Sequence, residues 1–455
     1  MAKTWIVTLI PMILLAGSRS RAEDNLLPLS EVVRRVVAHD PGVRAYHADQ
    51  DAARSEAKRT ETLRLPKLYL NTDVGGGQMV NDVANVLLTG LSPASVTDPK
   101  TRSNLANLSA NRPFAIPGAH LESLLFDGGR TGAAVRSAWL TENKSGVAQA
   151  RATQDETYAT AADFLGLAQG RVLDRYLEDH VRVTELVSNA LADQAKAGRI
   201  TDARALAGRA QLQTAQAALE NNRDEMRTAS DLLRQRAGLA AEAAFDTRPA
   251  EDFLGQYLLS PLPEDAELQS NAALQATLLD TQIQEQQVRA AKARRLPELK
   301  FVADYGFVFS ALVFTYRPAY SVGVRATYPL FTGGEVEKSV QTETRRLDAA
   351  TLREQKTRSV LQEEYTRLQA ENRKLGRQLD AARSQLSQAE ELYRIIRLKY
   401  DQGATSPTDL LETAELLLNS RERCLELARS SLLLRWAAFR FQGKLLAELE
   451  RSPLP

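Results

Sequence analysis

The stretch FDGGR, Phe126–Arg130, returns 205 positions later as FTGGE, Phe331–Glu335. A second landmark repeats with the same spacing: KAGRITD at Lys196–Asp202 is echoed by DQGATSPTD at Asp401–Asp409, and Gly198 to Gly403 is again 205. A third pair, RLPKL at Arg64–Leu68 and RLPEL at Arg295–Leu299, recurs at 231, so the first copy carries 26 extra residues between its RLP and its FxGG. Self-similarity over such a length marks a structural unit written twice. The reading that follows is two halves, residues 23–262 and 263–455, each holding a helix, two strands and a long helical hairpin.

Glycine and proline are sparse over residues 130–260 and again over 335–450, which favours long helices over compact, turn-rich domains. The 455 residues hold 58 basic and 57 acidic side chains, interspersed along the chain. So even a balance does not describe a nucleic-acid binder. The four histidines, His39, His47, His120 and His180, show no HExxH spacing and there is no CxxC, so no protein metal site is expected. Gly75–Gly77 is followed by no GK[ST], and the stretch reads as a flexible surface loop, not a phosphate cradle. No cofactor site and no enzyme emerges.

The N-terminus has a basic Lys3, an apolar run from Trp5 to Ala16 and a small-x-small step at Ser20-Arg21-Ala22. This is the pattern of an export signal over residues 1–22, and it is too short for a membrane span. No cysteine follows the apolar run to accept a lipid, and the single Cys424 lies in a helical stretch as a packed residue.

From Gly129 to about Gly198 a polar, Ala-rich and Leu-rich pattern runs almost unbroken; about 65 helical residues span roughly 100 Å. Glu335 to Gln402 does the same. There Tyr365, Leu368, Asn372, Leu375, Leu379, Ala382, Leu386, Ala389, Tyr393, Ile396 and Tyr400 advance by threes and fours. That is a heptad seam for a second long helix. Its partner follows Gly403, capped by Ser406 or Thr408 and running to about Gln442. In the first half the seam is less clean, with Leu173, Leu177, Val187 and Leu191 its firmest positions.

Between RLP and FxGG the period changes to two. Phe301, Ala303, Tyr305, Phe307 and Phe309 alternate with a set that includes Asp304, and Tyr320, Val322, Val324, Ala326 and Tyr328 with one that includes Arg325. Leu68, Leu70, Thr72 and Val74 give a similar face in the first half, and Ala119, Leu121, Ser123 and Leu125 a weaker one. Strands are expected at about 66–76, 118–127, 297–310 and 319–332. Apolar and polar faces of this kind suit the wall of a membrane barrel, with Asp304 and Arg325 toward the water-filled lumen; a soluble sandwich hairpin has the same alternation. The surplus residues fall in a polar connection, Gly75–Gly118, expected as a solvated outer loop with Ser95 near its centre. Single-chain membrane barrels start at eight strands, and an open sheet edge in lipid leaves backbone groups unpaired at several kcal/mol each. Four strands per chain therefore require a barrel shared between chains. Three copies give twelve strands.

The order of signal, helix, RLP strand, loop, strand, FxGG, long helix, glycine turn and long helix, then the same again, resembles the TolC family of outer membrane efflux channels across the mature chain. The marks are Phe126-Asp127-Gly128-Gly129, Leu330-Phe331-Thr332-Gly333-Gly334 and the GATSPTDLL turn at Gly403–Leu411. The resemblance implies a mainly α protein with a membrane β-barrel: a homotrimer with a shared twelve-stranded barrel in outer membrane lipid and a periplasmic tunnel of α-helical hairpins. It also implies a passive conduit in a tripartite efflux or type I secretion system. Hairpin tips at Gly198-Arg199 and Gly403-Ala404 would meet a periplasmic adaptor, and through it an inner-membrane pump of the RND, ABC or MFS class.

In one member of the family that this chain resembles, a tyrosine, an arginine and two acids at the second hairpin tip hold the periplasmic end shut. Tyr400, Asp409 and Glu412 match or nearly match, while the arginine position holds Thr405. Arg204, six residues after Gly198, stands where a relative has an acid, and is the candidate donor to Asp409 or Glu412. A further departure is Leu124 where the second half has Pro329, which predicts a different strand exit. The competing reading is a secreted or periplasmic coiled-coil interaction protein, adaptor-like, which leaves the aromatic strand faces unexplained.

Overall fold

The computed structural model describes residues 26–77, 112–263, 267–307, 309–310 and 318–451. The expected export signal and the loop around Ser95 lie outside the described residues. In chain order the elements are β1 (Leu26–Leu27), α1 (Leu29–His39), α2 (Pro41–Glu61), β2 (Lys67–Gly77), β3 (Arg112–Phe126), α3 (Arg130–Lys196), α4 (Asp202–Arg236), β4 (Ala244–Phe245) and α5 (Arg248–Gly255). There follow α6 (Ala272–Ala293), β5 (Glu298–Phe307), β6 (Phe309–Ser310), β7 (Pro318–Thr327), α7 (Glu335–Asp401), α8 (Pro407–Phe441) and α9 (Leu445–Arg451).

The duplication is realised residue for residue in the hairpins. Helices α3 and α7 are both 67 residues long, and α4 and α8 both 35. Each long helix starts behind two left-handed glycines, Gly128 and Gly129 at φ 69 and 88° and Gly333 and Gly334 at φ 61 and 83°. Only glycine enters that region without steric cost, and a Cβ on Gly128 would also stand 2.9 Å from Leu296. Each long helix ends in a left-handed glycine too, Gly198 and Gly403. The Arg199 amide donates to the Gln194 carbonyl at 2.9 Å and Ala404 to Lys399 at 2.7 Å, the Schellman arrangement that satisfies the last carbonyls. A pair that the sequence reading passes over, Gly238 and Gly443, closes α4 and α8 in the same manner.

The middle of the heptad seam is buried, while Leu368, Asn372, Tyr393, Ile396 and Tyr400 are half-buried. Leu375, Leu379, Ala382, Leu386 and Ala389 of α7 pack on Leu417, Cys424, Leu427 and Leu434 of α8. In α3, Leu177, Val187 and Leu191 are buried and Leu173 is half-buried. A larger core forms midway along the hairpins, where α1 places Leu29, Val32, Val33 and Val36 against Phe164 and Leu165 of α3, Phe253 and Leu254 of α5, and Leu432 and Trp436 of α8. The parallel pairing of β1 with β4 ties the start of the described chain into this belt.

The sheet runs β2-β3-β5-β7, antiparallel throughout, with β6 alongside β3. Three boundaries differ from expectation. The second strand begins at Arg112, six residues early, and Gly75–Gly77 is not loop: these glycines pair with Phe114, Pro113 and Arg112. Ladder hydrogen bonds carry this part of the hairpin, where Gly and Pro blur the side-chain alternation that signals a strand. The fourth strand ends at Thr327, because Pro329 has no N–H to continue a ladder. In the first half Leu124 takes the place of Pro329, and the strand instead runs to Phe126 through a bulge between Leu124 and Phe126. The strand exits differ, as the substitution implies.

Register sorts the side chains into two faces. Lys67, His120, Glu122, Lys300, Asp304 and Arg325 share one. Leu68, Leu70, Phe301, Tyr305, Tyr320 and Val322 share the other, and Leu70 is 85% and Tyr320 79% exposed there. Leu68, Tyr305, Val322 and Val324 are exposed on that face as well. Among the described residues no helix is long and apolar enough to cross a membrane.

Candidate functional site

Two regions gather the residues singled out in the sequence: the hairpin tips and the polar face of the sheet. At the second tip, the capping choice falls on Ser406. Its hydroxyl accepts from the Asp409 amide at 3.2 Å, and the Asp409 carboxylate accepts from the Ser406 amide at 3.2 Å, a reciprocal capping box. The same carboxylate oxygen accepts from the Thr405 hydroxyl at 2.6 Å. Thr405 thus supplies a neutral donor to this carboxylate. Hydrogen bonds from Thr405 and from Ser406 hold the Asp409 carboxyl below the ordinary carboxylate range, so it is charged at neutral pH.

Glu412 lies one turn further along α8, exposed on the same side. Tyr400, in the last turn of α7, belongs to a cluster with Val187 and Leu191 of α3 and Leu410 and Leu411 of α8. Burial pushes its phenol up, with Arg397 opposing and Asp401 reinforcing the shift. It therefore stays protonated and can donate. Arg204 is exposed on the first turn of α4, at the position that corresponds to Asp409 under the 205-residue shift. Among the described residues it makes no ion pair, so the structure does not bring it to Asp409 or Glu412 within one chain. Gly198-Arg199 and Gly403-Ala404 form the outermost turns, and a Cβ on Gly198 or Gly403 would meet nothing within 4 Å.

Above the tips, α3, α7 and α8 line an open cleft of about 610 Å³ that includes Tyr176, His180, Glu390, Arg397 and Arg421. Burial lowers the His180 pKa, against the opposing pull of Glu415, and its Nδ1 has no hydrogen-bond partner among the described residues. Arg421 lies over the Tyr176 ring at 5.0 Å.

On the polar face of the sheet, Asp304 is bonded to His120 Nδ1 at 2.6 Å and accepts from Ser321 Oγ at 3.0 Å. Arg325 stands opposite Lys300 in the β5–β7 ladder. A chain of alternating charge crosses the strands: Arg130 to Glu298 at 2.8 Å, Glu298 to Lys300 at 2.9 Å, and Lys300 to Glu122 at 2.6 Å. Of this ladder the sequence reading found only Asp304 and Arg325. Counting back by twos from Phe126 would have placed Glu122 and His120 on one face, as counting from Phe331 places Arg325; Lys300 joins them only through the pairing of its strand with both. The sheet thus carries charge-paired side chains on one face and exposed apolar ones on the other.

Residues 264–440 match the family described as outer membrane efflux protein. No curated protein matches the chain. Among solved structures the chain is similar to the outer membrane protein VceC of Vibrio cholerae, 17% identical over 91% of this chain and 96% of that one, with a TM-score of 0.71. It is also similar to the outer membrane channel CmeC of Campylobacter jejuni, at 15% identity over 92% and 86% with a TM-score of 0.69. A third likeness is to the MtrE outer membrane channel of Neisseria gonorrhoeae in its open state, at 15% identity over 92% and 89% with a TM-score of 0.64. At these identities the likeness is one of fold, and it extends over both halves of the chain.

Proposed function

Because the chain carries an outer membrane efflux protein domain over residues 264–440 and has the fold of outer membrane channels, we propose that it is the outer membrane channel of a tripartite efflux or type I secretion system. Three copies close a twelve-stranded barrel in the outer membrane, and their hairpins continue as a tunnel through the periplasm. The tips at Gly198-Arg199 and Gly403-Ala404 meet a periplasmic adaptor, which joins the tunnel to an inner-membrane pump of the RND, ABC or MFS class. The channel itself conducts passively.

One observation carries this reading: a four-stranded sheet with an apolar outer face and unpaired edges on β2 and β7 leads directly into 67-residue helices. In lipid, such edges must be paired by another copy. In this reading Tyr400, Asp409, Glu412 and Arg204 form the periplasmic gate. Asp409 and Glu412, repeated on a threefold axis, ring the end with carboxylates whose repulsion favours opening. Arg204 makes no ion pair among the described residues, and in this reading a latch through it joins neighbouring subunits. A gate that moves is consistent with a solved relative whose open state bears its own description.

Fractionation tests the assignment. The channel should sediment with outer membrane and require detergent for release. Release by osmotic shock alone would favour the coiled-coil interaction protein.

A further inference from the structure

The two hairpins of the sheet are one hairpin used twice, and this fixes where a second copy must sit. Glu122 pairs with Lys67 in the first hairpin and Thr327 with Glu298 in the second. These are the same pair under the 205-residue shift on one strand and the 231-residue shift on the other. Between the hairpins, β3 pairs with β5 with Glu122 opposite Val302. Applying the same shifts to that junction turns it outward: β3 becomes β7, and β5 becomes β2 of another chain.

We propose that β7 of each subunit pairs with β2 of the next in the β3–β5 register, with Thr327 opposite Asn71 of the partner subunit and Glu335 paired with Lys67 of the partner subunit. The inference rests on the channel reading above and gives its subunit seam an atomic register.

Three independent observations agree. The first is charge. Within the chain Arg130 bonds Glu298 at 2.8 Å; their shifted equivalents are Glu335 and Lys67, opposite in sign again but with the signs exchanged. Lys67 makes no ion pair among the described residues, and Glu335 has only Arg294 at 3.8 Å. The second is packing. Leu296 covers Gly128, whereas a Cβ on the equivalent Gly333 would meet nothing within 4 Å. Leu65, the equivalent of Leu296, is 59% exposed in the single chain and is the side chain available to cover Gly333 of a neighbour. The third is the helices beneath. Helix α6 packs against both α3 and α7, while α2, its equivalent, packs along α3 alone among the long helices. Accordingly α2 buries only Val43 and Ala57, but α6 buries Leu274, Gln286, Val288, Ala291 and Ala293. Helix α2 lacks one neighbour, and the bare side of α7 in another copy supplies it.

Cysteine cross-linking reads the register directly. Asn71 stands across from Ala319, three inter-strand spacings or about 14 Å away, and Thr327 lies further along β7 on that opposite edge, so within one chain the two are well beyond disulfide reach. Any disulfide between them joins subunits. Cys424 is fully buried and can stay. In outer membranes, full-length Asn71→Cys/Thr327→Cys should oxidise to covalent trimers, whereas the register-shifted pairs Tyr69→Cys/Thr327→Cys and Asn71→Cys/Arg325→Cys should yield mostly monomer. Lys67→Glu should lower trimer recovery in high detergent about two- to five-fold, the scale of a surface ion pair, and Lys67→Glu/Glu335→Lys should restore it. Trimers cross-linked preferentially by a shifted pair would overturn the register while leaving the channel reading intact. Native trimers that none of the three pairs can cross-link would overturn the β7–β2 seam. A protein with no trimer at all would overturn the channel reading and the seam together.

Discussion

Asp409 and Ser406 bind each other twice, amide to hydroxyl and amide to carboxylate, each at 3.2 Å. The carboxylate expected to serve the gate is therefore first a structural group of its own turn. Ser406→Ala should destabilise the start of α8 by about 1 kcal/mol and raise amide exchange over residues 405–410 without changing the exchange of the α3–α8 core. Uniform loosening of both would show that the box does not act locally.

The pH dependence of that turn follows from the sign of the Asp409 shift. Its folded pKa lies below the ordinary value of 3.8, so its stabilising contribution is complete above that value and is lost as pH falls through the folded pKa. Tip exchange in the wild type should hold steady from neutral pH to about pH 4 and rise below it, after correction for intrinsic exchange. Asp409→Asn should abolish that rise.

His180 acts in a higher window. Burial holds its pKa below the ordinary 6.5, with Glu415 opposing, and the fold thus prefers the neutral ring. Its contribution is full above pH 6.5 and declines as pH falls toward the folded pKa. His180→Phe should flatten the fall of the denaturant midpoint between pH 7 and pH 5; an unchanged slope would assign that pH sensitivity to other groups.

Gly198 and Gly403 test the tips. Both sit at positive φ with open space around them, so backbone strain and not collision limits substitution. Asparagine enters the left-handed region more readily than branched residues. Gly403→Asn should keep membrane insertion and efflux, whereas Gly403→Val should keep insertion and lose adaptor co-purification. Equal adaptor recovery with both would remove this turn from the docking surface.

How much of this was legible beforehand depended on which interactions write themselves locally. Landmark glycines are forced by backbone conformation, so Gly128, Gly198, Gly333 and Gly403 stood out in the sequence, and the heptad from Tyr365 to Tyr400 followed from a periodic contact. The belt of α1, α5 and α9 did not stand out, because Val33, Phe253 and Leu445 meet through distant parts of the chain and leave no period. Arg204 illustrates the other limit. Its correspondence with Asp409 is visible in the spacing, but that it makes no ion pair among the described residues is a fact of three dimensions.

The belt yields a direct stability test. Phe164 is buried, edge-on to Phe245 with ring centroids 6.3 Å apart. Phe164→Ala should cost about 3–5 kcal/mol, read as a lower denaturant midpoint. A loss below about 1 kcal/mol, the scale of ordinary surface substitutions, would mean that the belt is not a packed core.

Arg204 gives the gate its clearest trial. Single-channel recording in planar bilayers should show higher resting conductance in Arg204→Ala than in wild type. Unchanged conductance in Arg204→Ala together with an increase in Tyr400→Phe would move the latch to the tyrosine.

The central claim is that four strands per chain are completed by two further copies. Native mass spectrometry of the protein extracted from outer membrane in mild detergent tests it most directly. The spectrum should show a single species with the mass of three chains; a species with the mass of one chain, stable on dilution and still membrane-derived, would rule the shared barrel out.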